Sequence, residues 1–599
     1  MASSNLLSLE AEVLANVLEY VDSESPRTTA AVAQTCKYLN YVAKLVRYRH
    51  ITVRWDAGLQ AWVDNSGRNQ EEWETPELLQ GLRQLTVCSG DLPTLLFSPG
   101  HDDSPTAPEH CKSFNRLETV LRNASNLKTL VWKVGYLPTE VLVETLQTHQ
   151  PNAKMDIFRA RRLTNADRPL ASEKVLAAAT CLNSFSMSTA HNTCTEDMLL
   201  FHMIVRSAPN LRFASILCYP PMDLESPIVN IRRRHLEIFW FPPDQPRKQS
   251  SSLRHLTLDG WEMSDHDLAY WSQYVNLGCL EGLKCSRSRR VDRSFFERAP
   301  QLLTNLKSFS INLRAGDLSD EFLAAANNYI ATCPPLQILS LWSWRGKVPL
   351  STILDRHGAT LQDLQLHEDT DLPIGILRES LSVEEIQSIR QSCPGLRTFT
   401  FDLTRASPQL QIQDYQGILD ELRRFSLDKI QIYIDPGLQW FRWRARLIRQ
   451  GRVTQEVLGS AYDDPTIPLD DVCLPTGCSD NSQFEGASAL TIDCVRHAGG
   501  SVYPFTLQPP STHKAICSFL IKAWKTIFGS KTSGPRQLEL KFGEWEKKFE
   551  PRRHDLPDST RDIRVFCRAR PHERDDMVGE CFVEFDCCGG QHSRKFSSR

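Results

Sequence analysis

The first apolar residues of the chain recur with a helical period. Leu9, Val13, Leu14, Val17, Leu18 and Val21 fall on one stripe of a helix. Ser8 stands where an N-cap belongs, and Glu10 and Glu12 follow in the turn whose dipole favours negative charge. The stripe stops at Asp22-Ser23-Glu24-Ser25-Pro26, where Ser25 and Pro26 restart a helix as cap and first-turn proline. A second stripe runs through Val32, Cys36, Leu39, Val42, Ala43 and Val46. A region shorter than about 70 residues rarely supplies much stability alone, so a partner or the following domain must cover these helices.

Further along, the period changes. The spacing L-x-x-L-x-L returns at Leu82-Leu85-Val87, Leu127-Leu130-Trp132, Leu182-Phe185-Met187, Leu211-Ala214-Ile216 and Leu253-Leu256-Leu258. It continues at Leu280-Leu283-Cys285, Leu306-Phe309-Ile311, Leu336-Leu339-Leu341, Leu361-Leu364-Leu366, Leu396-Phe399-Phe401 and Leu422-Phe425-Leu427. From Leu253 the leading leucines stand 27, 26, 30, 25, 35 and 26 residues apart. This is the pattern of a leucine-rich repeat. The last two apolar positions lie two apart, so they share one face of a short strand. The chain then returns along segments such as Asp320–Ala326 or Ser382–Ile386. Prolines in Ala208-Pro209, Cys333-Pro334 and Cys393-Pro394 stop the return helix before the next strand. Gln150–Ile157 has the same entry without its leucine. No such repeat buries its face alone, so a stacked solenoid is predicted over 78–435. Insertions at 98–112 and 218–252, the latter carrying Arg232-Arg233-Arg234-His235, lengthen two repeats and offer binding loops.

The N-terminal residues resemble a known family. Leu9-Glu10-Ala11-Glu12-Val13-Leu14 with Val17-Leu18-Glu19-Tyr20-Val21 is similar to the first helix of an F-box, and Ala30–Leu39 to its second half. Two positions depart: Glu10 stands where the family usually has proline, and Leu39 where it usually has tryptophan. The resemblance implies docking on the Skp adaptor, and through it a cullin, by Leu9, Val13, Leu14, Val17, Leu18, Tyr20, Val32, Cys36 and Leu39. The repeats would then hold a protein target. The chain would be a non-catalytic receptor, acting by bringing a target lysine near the charged conjugating enzyme. The alternative is a ligase-independent scaffold whose N-terminal hairpin caps its own array.

After about residue 436 the leucine pattern ends. Trp440–Arg449 interleaves aromatics with arginines and reads as an amphipathic cap rather than a nucleic-acid surface. Residues 463–486 read as a loop, 515–528 as an amphipathic helix and 529–562 as a charged, partly unstructured stretch. Ile563–Cys567 and Cys581–Phe585 alternate like strands. Cys473, Cys478, Cys494 and His497 have a spacing open to a structural zinc, but the first pair is wider than usual and no metal or other cofactor is assigned. No phosphate-binding loop, nucleophile elbow or zinc-protease motif occurs.

Composition narrows the picture further. Sixty-nine Lys and Arg oppose 72 Asp and Glu, for a net charge of −3, which argues against the phosphate backbone as main partner. No apolar run approaches the ~18 residues of a membrane span. The N-terminus lacks a signal peptide's pattern, so reduced cysteines and a cytoplasmic or nuclear location are expected, without a membrane. The sequence thus predicts an α/β chain: a short helical F-box (1–50), an irregular leucine-rich-repeat solenoid (78–435) and an α+β C-terminal region (436–599).

Overall fold

The structure, a computed structural model, describes residues 11–24, 31–56, 61–64, 75–88, 107–162, 168–189, 194–217, 250, 252–261, 263–285, 291–313, 319–368, 380–404, 411–434, 519, 522–523, 525–528, 537–542, 563–569, 579–587 and 590–596. The chain forms two compact units, Met1–Leu306 and Lys307–Arg599.

In the first unit, α1 (Ala11–Glu24) packs on α2 (Lys37–Tyr48) around Leu14, Leu18, Leu39, Val42, Ala43 and Val46. Cys36 caps α2, its sulfur accepting from the Leu39 N–H at 3.4 Å. The chain then alternates strand and helix: β1 (His50–Asp56), β2 (Ala61–Asp64), α3 (Pro76–Gly81), β3 (Gln84–Cys88), α4 (Ala107–Asn123), β4 (Thr129–Lys133), α5 (Glu140–His149) and β5 (Lys154–Ala160). It continues through α6 (Ala171–Ala178), β6 (Leu182–Ser188), α7 (Cys194–Ser207), β7 (Phe213–Leu217), β8 (His255–Asp259), α8 (Asp265–Trp271), β9 (Gly282–Cys285) and α9 (Arg293–Leu302). The sheet runs β2-β1-β3-β4-β5-β6-β7-β8-β9, and only the β1–β2 pair is antiparallel.

The second unit repeats the plan with β10 (Ser308–Asn312), α10 (Asp320–Thr332), β11 (Ile338–Trp342), α11 (Leu350–His357), β12 (Asp363–His367), α12 (Val383–Ser392), β13 (Thr398–Leu403), α13 (Gln416–Arg423) and β14 (Lys429–Ile434). Four strands follow: β15 (Gln537–Phe542), parallel to β14, then β16 (Ile563–Ala569), β17 (Gly579–Cys587) and β18 (Gly590–Phe596) in an antiparallel meander. Mostly parallel strands with helical returns make an α/β protein compatible with a solenoid-like repeat.

The leucine spacing has a physical origin. In each unit the leading leucine and the two strand positions of the spacing are buried, as in Leu85 and Val87 of β3 or Leu339 and Leu341 of β11. The residue after the leading leucine supplies a carbonyl that accepts two N–H donors from the next repeat. Lys128 and Thr129 donate to Arg83 at 2.7 and 3.0 Å, Gln362 and Asp363 to Gln337 at 2.8 and 3.1 Å, and Asp428 and Lys429 to Arg397 at 2.9 and 3.1 Å. Parallel strands are thereby held in register at their entry. Asparagine adds a side-chain rung where it precedes the leucine: Asn126 donates to Gln80 O at 2.7 Å, Asn210 to Thr180 O at 2.8 Å and Asn305 to Gly278 O at 2.5 Å. Helices start on serine caps, Ser319 for α10 and Ser382 with Glu385 in a capping box for α12.

Four sequence expectations change. The parallel sheet begins at His50, not near 78, because Ile51 and Val53 of β1 stand opposite Leu85 and Val87. The last repeat enters on Leu427, not Leu422: Phe399 and Phe401 face Ile430 and Ile432, and Leu422 belongs to α13. The stretch 529–562, expected to be partly unstructured, contains β15, whose Leu538 faces Ile430. The insertion at 98–112 is in part helix, since α4 starts at Ala107. Of the helix expected over 515–528, the described residues are helical, with Phe519, Ala523, Ile527 and Phe528 buried and the Phe519 ring 5.4 Å from that of Tyr415. Leu9, the caps Ser8, Ser25 and Pro26, the arginines 232–234, Trp440–Arg449, the loop 463–486 and the Cys473, Cys478, Cys494 and His497 set lie outside the described residues.

Candidate functional site

The hairpin divides the residues singled out from sequence. Leu14, Leu18 and Leu39 are 0%, 4% and 8% exposed and form its core. Val32 and Cys36 are partly buried against that core. Val13 and Val17 are each 45% exposed, one turn apart on α1. Tyr20 lies in the same helix. An exposed valine pair beside the buried Leu14, Ala15 and Leu18 is a small surface left over by the hairpin's own packing. Tyr41 on α2 is equally exposed.

The hairpin is not on a tether. Arg49 alone separates α2 from β1 and is buried, its guanidinium held by Asn16 Oδ1 at 3.1 Å and by the Glu19 carboxylate. Leu45 of α2 reaches α3: a Cβ at Gly81 would stand 3.2 Å from Leu45 Cδ2.

Strand residues alternate, so each sheet presents a second face beside the leucine core. In the second unit that face carries paired polar side chains beside the exposed Ile338. Thr400 donates to Gln431 at 3.0 Å, Gln431 to Glu539 at 2.8 Å, and the Lys429 ammonium lies 3.3 Å from Glu539. At the strands' C-terminal ends His367 Nδ1 meets Asp402 Oδ1 at 2.6 Å, and the His367 ring lies 3.8 Å from Tyr433 and 4.5 Å from Trp342. The Glu368 N–H donates to Asp402 Oδ2 at 2.5 Å, and the Glu368 carboxylate accepts from the Arg345 N–H at 2.7 Å. Burial pushes the Glu368 carboxyl up to about 7, with Asp402 adding to the rise and the Arg345 N–H opposing it. His367 and Asp402 are 2% and 4% exposed, so this cluster holds strands together rather than facing a substrate.

In the first unit the second face carries the exposed Phe158 and Phe213, both 43% exposed. The Phe213 ring stacks on His255 at 4.8 Å, and Gly282 makes room for that imidazole, since a Cβ there would stand 2.3 Å from His255 Nδ1.

No protein-family model matches this chain, and no curated protein matches it. Among the described residues no cluster of His, Cys, Asp and Glu has the shape of a metal site, and no helix is long and apolar enough to cross a membrane. Burial pushes the thiols of Cys333 and Cys393 up to about 12, which makes them core residues rather than nucleophiles.

Proposed function

We propose that this chain is the substrate-recognition subunit of a Skp–cullin–F-box ubiquitin ligase. The F-box-like hairpin docks on the Skp adaptor and the leucine-rich repeats take a protein target, in the cytoplasm or nucleus, without catalysis by the chain itself. The observation that carries this is the exposed pair Val13 and Val17 on α1, beside a hairpin core that contains Leu14, Leu18 and Leu39. Burying two valines at an interface contributes about 1.5–3 kcal/mol each, enough to decide binding. Co-expression with the Skp adaptor tests it. The full chain is expected to capture the adaptor, and Val13→Asp with Val17→Asp to lose it at an unchanged melting temperature. Leu18→Asp is not a fair test, since it places a charge in the hairpin core. Capture by the double variant overturns the interface.

The second reading is a ligase-independent binding scaffold, and the direct run of α2 into β1 through the buried Arg49 favours it. Under it neither chain captures the adaptor, and the hairpin serves only as the cap of the first sheet.

A further inference from the structure

The first sheet holds a break in its own pattern. Between β4 and β5 the register is regular, with Leu130 opposite Met155 and Trp132 opposite Ile157. Between β5 and β6 it slips: Ile157 now faces Phe185, Ala160 faces Met187, and Met155 stands beside Leu182. The entry bond changes too, the Met155 N–H donating back to Cys181 O at 2.7 Å. The usual double rung returns only at Arg212 O, which accepts from Arg254 and His255 at 2.9 Å each.

At this slip a cleft of about 430 Å³ opens along the strand entries, from Asn152 on β5's approach to Glu281 before β9. Its walls carry Lys154, Arg212 and Arg254 against the single carboxylate of Glu281. Glu281 lies 3.7 Å from Arg254, whose guanidinium is also steadied by Cys279 O at 3.2 Å. Lys154 and Arg212 are exposed and have no acidic partner among the described residues. Phe213 follows Arg212 directly and is exposed on the neighbouring sheet face.

We propose that this cleft binds an extended acidic peptide of a partner protein. Lys154, Arg212 and Arg254 take its carboxylate or phosphate groups, and an apolar side chain beside them rests on Phe213 and His255. Arginine pairs with both anions in a two-pronged manner, and side-chain amides such as Asn152 suit a peptide backbone. A nucleic acid fits less well: it calls for a long basic stripe, whereas this chain carries net charge −3 and three cations in one short cleft. The proposal stands without the ligase reading, because it needs no adaptor.

Fluorescence anisotropy of the purified full chain tests it with three labelled peptides of one sequence, carrying Glu-Leu-Glu, phosphoserine-Leu-phosphoserine or Ser-Leu-Ser at the centre. Binding is expected for one or both acidic peptides and not for the serine peptide; which of the two is tighter separates carboxylate from phosphate as the anion. Arg212→Glu with Arg254→Glu is expected to weaken binding at least tenfold, and Lys44→Glu on the surface of α2 to leave it unchanged. If the double variant unfolds, Lys154→Glu alone carries the same expectation. Equal binding of the serine peptide, no binding of either acidic one, or indifference to the cleft variants overturns the site. A basic RNA-like response, in which a single-stranded oligonucleotide competes more strongly than the acidic peptides, also overturns it.

Discussion

Single buried charges decide much of this protein's local stability. Arg162 and Glu173 are each 1% exposed and joined at 2.6 and 3.1 Å, while Arg162 also donates to Arg168 O and Glu173 accepts from the Leu170 N–H. Removing one partner leaves the other charge stranded. Glu173→Ala is therefore expected to cost about 3 kcal/mol, and Arg162→Met with Glu173→Leu to recover most of it, measured by denaturant unfolding. Equal losses in the single and double variants would show that the site fails through packing instead. His357 and Glu368 each contribute to the pH response of the second unit. The His357 ring is wholly buried, accepting from the Leu336 N–H at 3.2 Å and donating to Ile330 O at 2.9 Å, and burial pushes it down to about 4 from 6.5. Its contribution is present above pH 6.5 and is lost as pH falls through 4. Glu368, raised from 4.5 to about 7, contributes in the opposite sense: present below 4.5, lost as pH rises through 7. Glu368→Gln keeps the oxygen that accepts from Arg345. It is expected to stabilise the protein at pH 8 and to match wild type near pH 4, in unfolding midpoints taken across pH. A pH-independent difference would mean that Glu368 acts by shape alone.

At the scale of elements, what was legible in the sequence depended on whether a pattern could belong to anything else. Leucine followed by two apolar residues at strand spacing marked ten entries correctly, because the buried positions of a short parallel strand leave few alternatives. The same spacing misled at Leu422-Phe425-Leu427, where positions three apart also lie on one face of α13; the true entry, Leu427 with Ile430 and Ile432, began at the last residue of that triple. β1 was hidden because α2 occupies the place of its leading leucine, and β15 because roughly a hundred residues part it from β14 in sequence but none do in the sheet. Within the hairpin, the apolar stripe was plain, yet only packing separates Val13 and Val17 from Leu14 and Leu18. The cationic cleft left no sequence signal, since Lys154, Arg212 and Arg254 meet only through stacking and a register slip. Glycines make a test at this scale. Gly358 ends α11 in helical geometry, where alanine ordinarily stabilises by about 0.4–1 kcal/mol through the unfolded chain. Here a Cβ would stand 2.5 Å from Leu354 O and 2.7 Å from Ser392 O, so Gly358→Ala is expected to lower the melting temperature. Gly135, with nothing within 4 Å of an added Cβ, is expected to tolerate alanine or gain from it. A higher melting temperature for Gly358→Ala would mean that α11 and α12 yield to the extra methyl.

For the whole molecule, the question is what ends a stack of repeats. Each strand satisfies its neighbour's backbone, so the last parallel strand presents an open edge unless something covers it. The leucine pattern stops at β14, but the sheet of the second unit does not. β15 pairs with β14 along its whole length, from Lys429 opposite Gln537 to Ile434 opposite Phe542, and β16 then reverses the strand direction. The change from parallel to antiparallel pairing matters, since an antiparallel meander closes by hairpins and needs no further return helix. β15 is fastened through side chains as well, Glu539 being fully buried and joined to Gln431 and Lys429. Strands β15 to β18 thus continue the sheet of the array. A chain cut after residue 435 keeps every leucine-spaced repeat and loses this cover together with the buried Phe519, Ala523, Ile527 and Phe528. It is expected to unfold at a lower temperature and to self-associate through the bared edge of β14, seen by light scattering as mass rising with concentration. Lys or Pro placed on β14's outward backbone positions would then reduce the association. A truncated chain that stays monomeric and melts with the full-length protein would show that the repeats end themselves at β14, leaving β15 to β18 free for another role.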